Sequence, residues 1–328
     1  MTDFLARAVD VAERGRTTAR PNPIVGAVVV HRGEVVGEGW HEGPGTPHAE
    51  AMALEAAGER ARGATVYVTL EPCAHQGHTP PCADALVAAG VSRVVAAARD
   101  PHQLVDGRGF ARLREAAVEV ELAEGETVMR ARRQNEAFLT WAALGRPLVT
   151  YKAAMTLDGR LAAAGGDARW VSGEAGRRRV HELRAAADAV AVGLGTVRAD
   201  DPRLTARDVE TPRGQPRRLA FGGGPLPEGS ELELVSGGLE EALGRLAGEG
   251  VQSLLLEGGP TLAGAFLRQG LIDKLLLFVA PKLIGGDDAP PLFAGPGARS
   301  LAEAIPATLA DVEQIGEDLL LTAYLREP

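Results

Sequence analysis

Short, uninterrupted apolar runs recur along this chain: VGAVVV (25–30), ATVYVTL (64–70), RVVAAA (93–98), LVTYKAAM (148–155), DAVAVG (188–193), QSLLLEGG (252–259) and KLLLFVAP (274–281). They are rich in β-branched residues and leucine and too short for buried helices, so they read as strands with both faces covered, the signature of layered α/β architecture. Between them lie helical patterns: Phe4, Leu5, Ala8, Val9 and Ala12 at helical spacing, a helix from His48, and another after Pro81. EVVGEGW (34–40) adds a further strand.

A long amphipathic stretch from Glu124 to Leu144, then GRP and the fresh strand at Leu148, marks a junction near Gly145. The expected domains are 1–145 and 146–328. Residues 211–240, rich in Pro and Gly, are read as loops around a single short strand.

The balance of 44 acidic against 35 basic residues, net charge −9, disfavours a surface that tracks long nucleic acids. The charged N-terminal stretch reads as an amphipathic helix rather than a signal peptide, and no apolar run reaches membrane-spanning length. A cytoplasmic protein is expected, in which two cysteines are free to ligate metal.

Both cysteines follow proline: Cys73 in EPC and Cys82 in TPPC, with HAE beginning at His48. Two thiolates and an imidazole suit Zn²⁺, and three protein ligands leave a fourth position for water, the arrangement of a catalytic zinc. Helices beginning at His48 and near the two cysteines would bring the three together, and helix N-termini favour thiolate over thiol. Glu50, two residues from His48, supplies the non-ligand carboxylate that zinc deaminases use to move protons. A structural zinc is the bland alternative, and His75 and His78 are alternative ligands.

HAE with EPC is similar to the cytidine-deaminase signature, with eight residues rather than two between the cysteines. Together with RPNPIVGAVVV (20–30) and EPCAHQGHTPPC (71–82), the first half resembles the deaminase part of the bifunctional riboflavin-biosynthesis deaminase/reductases. The resemblance implies a three-layer cytidine-deaminase-like domain whose substrate is a phosphorylated diaminopyrimidinone. Asn22 and His41 would line its pyrimidine pocket with Asp100 nearby, and His78 would stand where relatives often place a phosphate-gripping Lys.

In the second half, a Gly pair follows an apolar strand in LLLEGGPTLAG (254–264), a weak phosphate-turn signal equally compatible with a plain tight turn. VGLGTV (192–197) is no dinucleotide fingerprint, because Arg198 replaces its last glycine. YKAAMTLDGRLA (151–162), the segment from Trp170 to Arg207 and the segment from Leu254 to Gly286 resemble the reductase part of the same family. That implies a dihydrofolate-reductase-like fold and NADPH as hydride donor. By the same resemblance Ala154, Trp170, Thr196, Asp200, Gly259, Pro260, Thr261, Leu262 and Ala263 would hold NADPH. Lys152, Ser172, Arg184, Asp200, Leu204, Arg207 and Glu257 would face the ribose phosphate, with Lys152, Asp200 and Glu257 as catalytic candidates. Ala168 departs from the Ser of many relatives. A homo-oligomer without nucleic-acid or membrane partners is implied.

Overall fold

In the computed structural model, which describes residues 3–76, 80–166 and 172–328, the chain divides into two compact units at Leu144/Gly145. The first runs α1 (Phe4–Ala12), β1 (Gly26–His31), β2 (Glu34–Trp40), α2 (Ala49–Ala57), β3 (Thr65–Val68), α3 (Cys82–Ala89), β4 (Arg93–Ala96), α4 (Arg108–Glu115), β5 (Glu119–Leu122), α5 (Glu126–Gln134) and α6 (Glu136–Leu144). The sheet order is β2-β1-β3-β4-β5: an antiparallel β2-β1-β3 half continues into parallel β3-β4-β5. Val66, Val68, Val94 and Ala96 are fully buried between the helical layers, as continuous apolar strands require.

Glycines in the strands set how closely α2 approaches. A Cβ on Gly39 would sit 2.3 Å from the Ala49 carbonyl oxygen, so no larger residue fits beneath the first turn of α2. That close contact brings the helix carrying Glu50 flush against the sheet.

The second unit runs β6 (Leu148–Thr156), α7 (Glu174–Ala186), β7 (Ala189–Gly193), α8 (Leu194–Asp200), β8 (Arg217–Phe221), β9 (Glu233–Val235), α9 (Leu239–Gly248), β10 (Ser253–Leu256), α10 (Pro260–Arg268), β11 (Lys274–Ala280), β12 (Thr308–Ile315) and β13 (Asp318–Tyr324). Its sheet order is β12-β13-β11-β6-β10-β7-β8-β9, parallel from β11 to β9, with an antiparallel hairpin at the other edge. Tyr151, Leu219, Leu254, Leu256 and Phe266 form the middle of its core.

Three expectations need correction. Residues 124–144 form two helices, because Asn135 turns its side chain onto the backbone of Ile24 between them. Residues 211–240 contain two strands, β8 and β9, and Glu233 and Leu234 on β9 are exposed, so apolar content could not announce it. Cys73 lies in irregular chain; of the two cysteines only Cys82 begins a helix. Among the described residues no helix is long and apolar enough to cross a membrane.

Candidate metal centre and reductase site

His48 is the N-cap residue of α2, and Cys82 is the first residue of α3. Two helix N-termini therefore converge beside Cys73. The ligand atoms of His48, Cys73 and Cys82 all lie within 4.8 Å of one another. His48 Nδ1 is 3.1 Å from Cys82 Sγ and 3.6 Å from Cys73 Sγ, so Nδ1 is the ring nitrogen turned toward both sulfurs. The first N–H groups of a helix have no partner within it. Here the Cys82 amide donates to Cys73 Sγ at 3.3 Å and the Ala83 amide to the Cys73 carbonyl at 3.0 Å.

The same contacts set the charge. The Cys82 thiol, and then His48 and the Cys82 amide, pull the Cys73 thiol well below its ordinary range, while Cys73 and burial push Cys82 up. Cys73 is thus the sulfur favoured as thiolate, and a bound cation would favour thiolate at both. His48 is drawn up by Cys73. A soft, part-anionic S₂N set with separations of this size fits Zn²⁺.

Glu50 stands in the first turn of α2, 3% exposed. Burial, and then the negative charge at Cys73, push its carboxyl up to about 7. A carboxyl poised between its two protonation states beside a ligand cluster is suited to relaying protons.

These groups form one wall of a cavity of about 280 Å³ that also contains Asn22, His41, Asp100 and His75. Asn22 Nδ2 lies 2.9 Å from His41 Nε2, and His41 Nδ1 faces the Pro47 carbonyl at 3.3 Å, so a neutral His41 protonated on Nδ1 satisfies both contacts. Burial lowers the pKa of His41 and keeps it neutral. Burial, against the pull of the His102 amide and reinforced by Glu71, raises Asp100 to about 6. Val25, Leu70 and Phe138 give the cavity an apolar side. The cavity therefore offers a flat ring both apolar contact and polar edges. His78 lies outside the described residues.

In the second unit, side chains from three elements meet at the carboxyl ends of parallel strands, where open α/β sheets bind ligands. Glu257 follows β10, Lys152 lies in β6, and Arg184 is in the last turn of α7. Arg184 grips Glu257 with Nε at 2.6 Å and Nη2 at 3.0 Å, and Lys152 Nζ is 3.3 Å away. Burial works to raise the Glu257 pKa, but Lys152 and Arg184 prevail and hold the carboxyl at about 2. The Arg184 fork, expected to face a phosphate, is turned onto Glu257 and, through Nη1, onto the Thr205 carbonyl at 3.2 Å. Leu204, buried with φ +52°, turns the chain just before that carbonyl.

The remaining reductase residues are more dispersed. Thr196, on α8, faces the Gly259 turn, its Oγ1 3.7 Å from where a Gly259 Cβ would stand. Gly259 caps α10, with Pro260 and Thr261 in its first turn and Leu262 part-buried. Ala263 is fully buried, and its amide donates to the Gly259 carbonyl, so it shapes the turn from inside. Ala154 is part-buried on β6; Asp200 and Arg207 are exposed. Ser172 immediately precedes Gly173, the N-cap residue of α7, and Arg184 stands in the last turn of that helix. Trp170 and Ala168 lie outside the described residues.

Glu71, His75 and His102 also line the first cavity. Glu71 sits inside the EPC signature, whose metal-ligand chemistry resides in its cysteine; His102 carries no pattern that distinguishes it from a loop histidine.

Residues 1–98 match the cytidine and deoxycytidylate deaminase zinc-binding region, and residues 147–321 the RibD C-terminal domain. The chain is 40% identical to riboflavin biosynthesis protein RibD of Escherichia coli (strain K12), over 97% of each chain. The chain belongs to the RibD family. It is likewise 41% identical to RibD of Mycobacterium tuberculosis over 99% of this chain and 97% of that one. Among solved structures, Acinetobacter baumannii RibD superposes with a TM-score of 0.85 at 38% identity, covering 98% of this chain and 97% of the other. A Thermotoga maritima diaminohydroxyphosphoribosylaminopyrimidine deaminase/5-amino-6-(5-phosphoribosylamino)uracil reductase does so at 0.80 and 32%, with the same coverage. As a RibD protein the chain is a bifunctional riboflavin-biosynthesis enzyme, with a cytidine-deaminase-like zinc domain followed by a dihydrofolate-reductase-like domain that uses NADPH.

Proposed function

We propose that the first unit removes the 2-amino group of 2,5-diamino-6-ribosylamino-4(3H)-pyrimidinone 5′-phosphate and that the second reduces the ribosyl chain of the product to ribityl, giving 5-amino-6-ribitylaminouracil 5′-phosphate. His48, Cys73 and Cys82 would hold zinc, which when bound makes water nucleophilic at neutral pH. Glu50 takes a proton from that water and passes protons to the ring nitrogen and the departing amine. Asn22, steadied by His41, meets a polar ring edge, and Asp100 closes the other side of the cavity. The observation that carries this reading is the convergence of three soft ligand atoms within 4.8 Å beside the buried Glu50.

In the second unit NADPH, when bound, supplies the hydride that reaches the sugar C1 atom. The Gly259–Ala263 turn, Thr196 and Ala154 are assigned to the cofactor, and Ser172, Leu204 and Arg207 to the substrate side. Glu257, kept ionised by Lys152 and Arg184, accepts hydrogen bonds from ribose hydroxyls, and Lys152 donates a proton to the ring oxygen as the sugar opens. Asp200 is the other acid available to this step. Family membership supports a cytoplasmic homo-oligomer acting on a small phosphorylated pyrimidine, and the net charge of −9 suits neither a nucleic-acid nor an anionic membrane partner.

Separate assays of Glu50→Ala and Lys152→Ala test the assignment. Ammonia release should fail in the first with NADPH consumption intact, and the converse should hold in the second. Loss of both activities in either variant would contradict two independent sites.

A further inference from the structure

Glu71 is 4% exposed, and three backbone amides of one distant segment donate to its carboxylate. Oε2 accepts from Asp100 at 3.3 Å and Gly107 at 3.1 Å, and Oε1 accepts from Phe110 at 3.2 Å. Gly107 is the N-cap residue of α4, with φ +85° and no capping side chain of its own. Phe110 is the third residue of that helix. The carboxylate therefore does for α4 what an Asp or Ser at the cap position does in other helices, but from the far side of a turn. A negative charge is also the favoured partner of a helix N-terminus.

The segment held in this way is the one that brings Asp100 and His102 to the deaminase cavity. An independent observation shows how tightly it is seated. A Cβ on Gly109 would lie 1.8 Å from the Pro72 carbonyl oxygen, so the first turn of α4 rests directly on the Pro72–Cys73 peptide. Glu71 is thus joined on one side to the turn leading into Cys73 and on the other to the backbone of Asp100.

We infer that Glu71 is a positioning residue for the deaminase, fixing the Asp100–Phe110 segment relative to the metal-ligand turn so that Asp100 meets the substrate at a set distance. The inference rests on the reading of this cavity as the pyrimidine site. It assigns Glu71 to substrate binding rather than to the proton relay, because its oxygens are turned onto amides while Glu50 stands beside the ligands. Losing an interaction made equally in the ground and transition states raises KM and spares kcat.

The test is steady-state deamination by the full-length, zinc-loaded enzyme carrying Glu71→Gln, with zinc content measured alongside. Gln can accept on one side only and presents its NH₂ group to the amides on the other. KM for the pyrimidine phosphate should rise about tenfold as Asp100 loses its set position, with kcat within about threefold and zinc unchanged. Glu71→Asp, which keeps the charge on a shorter arm, should give a smaller rise. An unchanged KM in Glu71→Gln overturns the inference if Asp100→Asn raises KM; if Asp100→Asn also leaves KM unchanged, the reading of the cavity falls and the inference with it. A fall in kcat together with loss of zinc would show that Glu71 serves the metal turn alone and would also overturn it. Amide hydrogen exchange in the unmutated enzyme gives a readout that needs no variant to fold. The Gly107 and Phe110 amides should be protected by at least about tenfold over an open chain, and unprotected amides would contradict the capping.

Discussion

Asn135 holds both backbone polar groups of Ile24: its Oδ1 accepts the Ile24 amide at 2.7 Å, and its Nδ2 donates to the Ile24 carbonyl at 2.7 Å. The side chain is 5% exposed and stands in the break between α5 and α6, where it acts as a one-residue strand partner for the loop that carries Asn22. Replacing Asn135 by Asp keeps the acceptor but sets an oxygen against the Ile24 carbonyl. The variant should lose about 1–3 kcal/mol of stability in the first unit, since a buried carbonyl loses its donor. KM for deamination should rise with reductase activity unchanged. Thermal unfolding and separate kinetics of the two activities measure this.

Glu50→Gln keeps the shape of the side chain and removes its ability to relay protons. Ammonia release should fall by about 10²–10⁴-fold, the usual worth of general acid–base catalysis. Zinc content and NADPH consumption with the deaminated substrate should stay at the unmutated level. Metal analysis and the two assays on one preparation check all three.

Glu257 ties stability to pH. Its carboxyl is held at about 2, below the ordinary 4.5, by Lys152 and Arg184 against the effect of burial. A depressed carboxyl contributes stability that is present in full above the unfolded value and lost as pH falls from about 4.5 through about 2. The second unit should therefore lose on the order of a few kcal/mol across that window. Glu257→Gln should flatten this part of the curve, and denaturant unfolding at a series of pH values reads it.

Arg184→Ala removes the bidentate partner and leaves a buried carboxylate with only Lys152. Breaking a buried pair from one side costs on the order of 3–5 kcal/mol, so the second unit should unfold at distinctly lower denaturant. The Glu257 carboxyl should titrate at higher pH. Stability curves and carboxyl titration by NMR measure the two effects.

The parts of the fold that announced themselves were those in which burial dictates residue type. Val66 and Val68 or Leu254 and Leu256 must be apolar because helices cover both faces of their strands, and HAE, EPC and TPPC must supply soft donors if an ion is to be held. What stayed hidden is polar and contextual. Asn135 reads as an ordinary member of an amphipathic stretch until Ile24, 111 residues away, is seen to occupy it. Glu71 looks like a solvated neighbour of a cysteine because its three amide partners come from residues 100–110. The Arg184 fork matches a phosphate as well as a carboxylate, and spacing alone does not say that Glu257 takes it. β9 is three residues long with two exposed, too little burial to leave a pattern.

The central claim is that His48, Cys73 and Cys82 share one catalytic ion with Glu50 beside it. Metal analysis combined with ammonia release from the pyrimidine phosphate, in the unmutated enzyme and in Cys82→Ser, tests it most directly. One zinc per chain with active deamination is expected in the first. The second should lose zinc and deamination together while NADPH-dependent reduction continues. Undiminished ammonia release from a preparation that carries no metal would contradict the account.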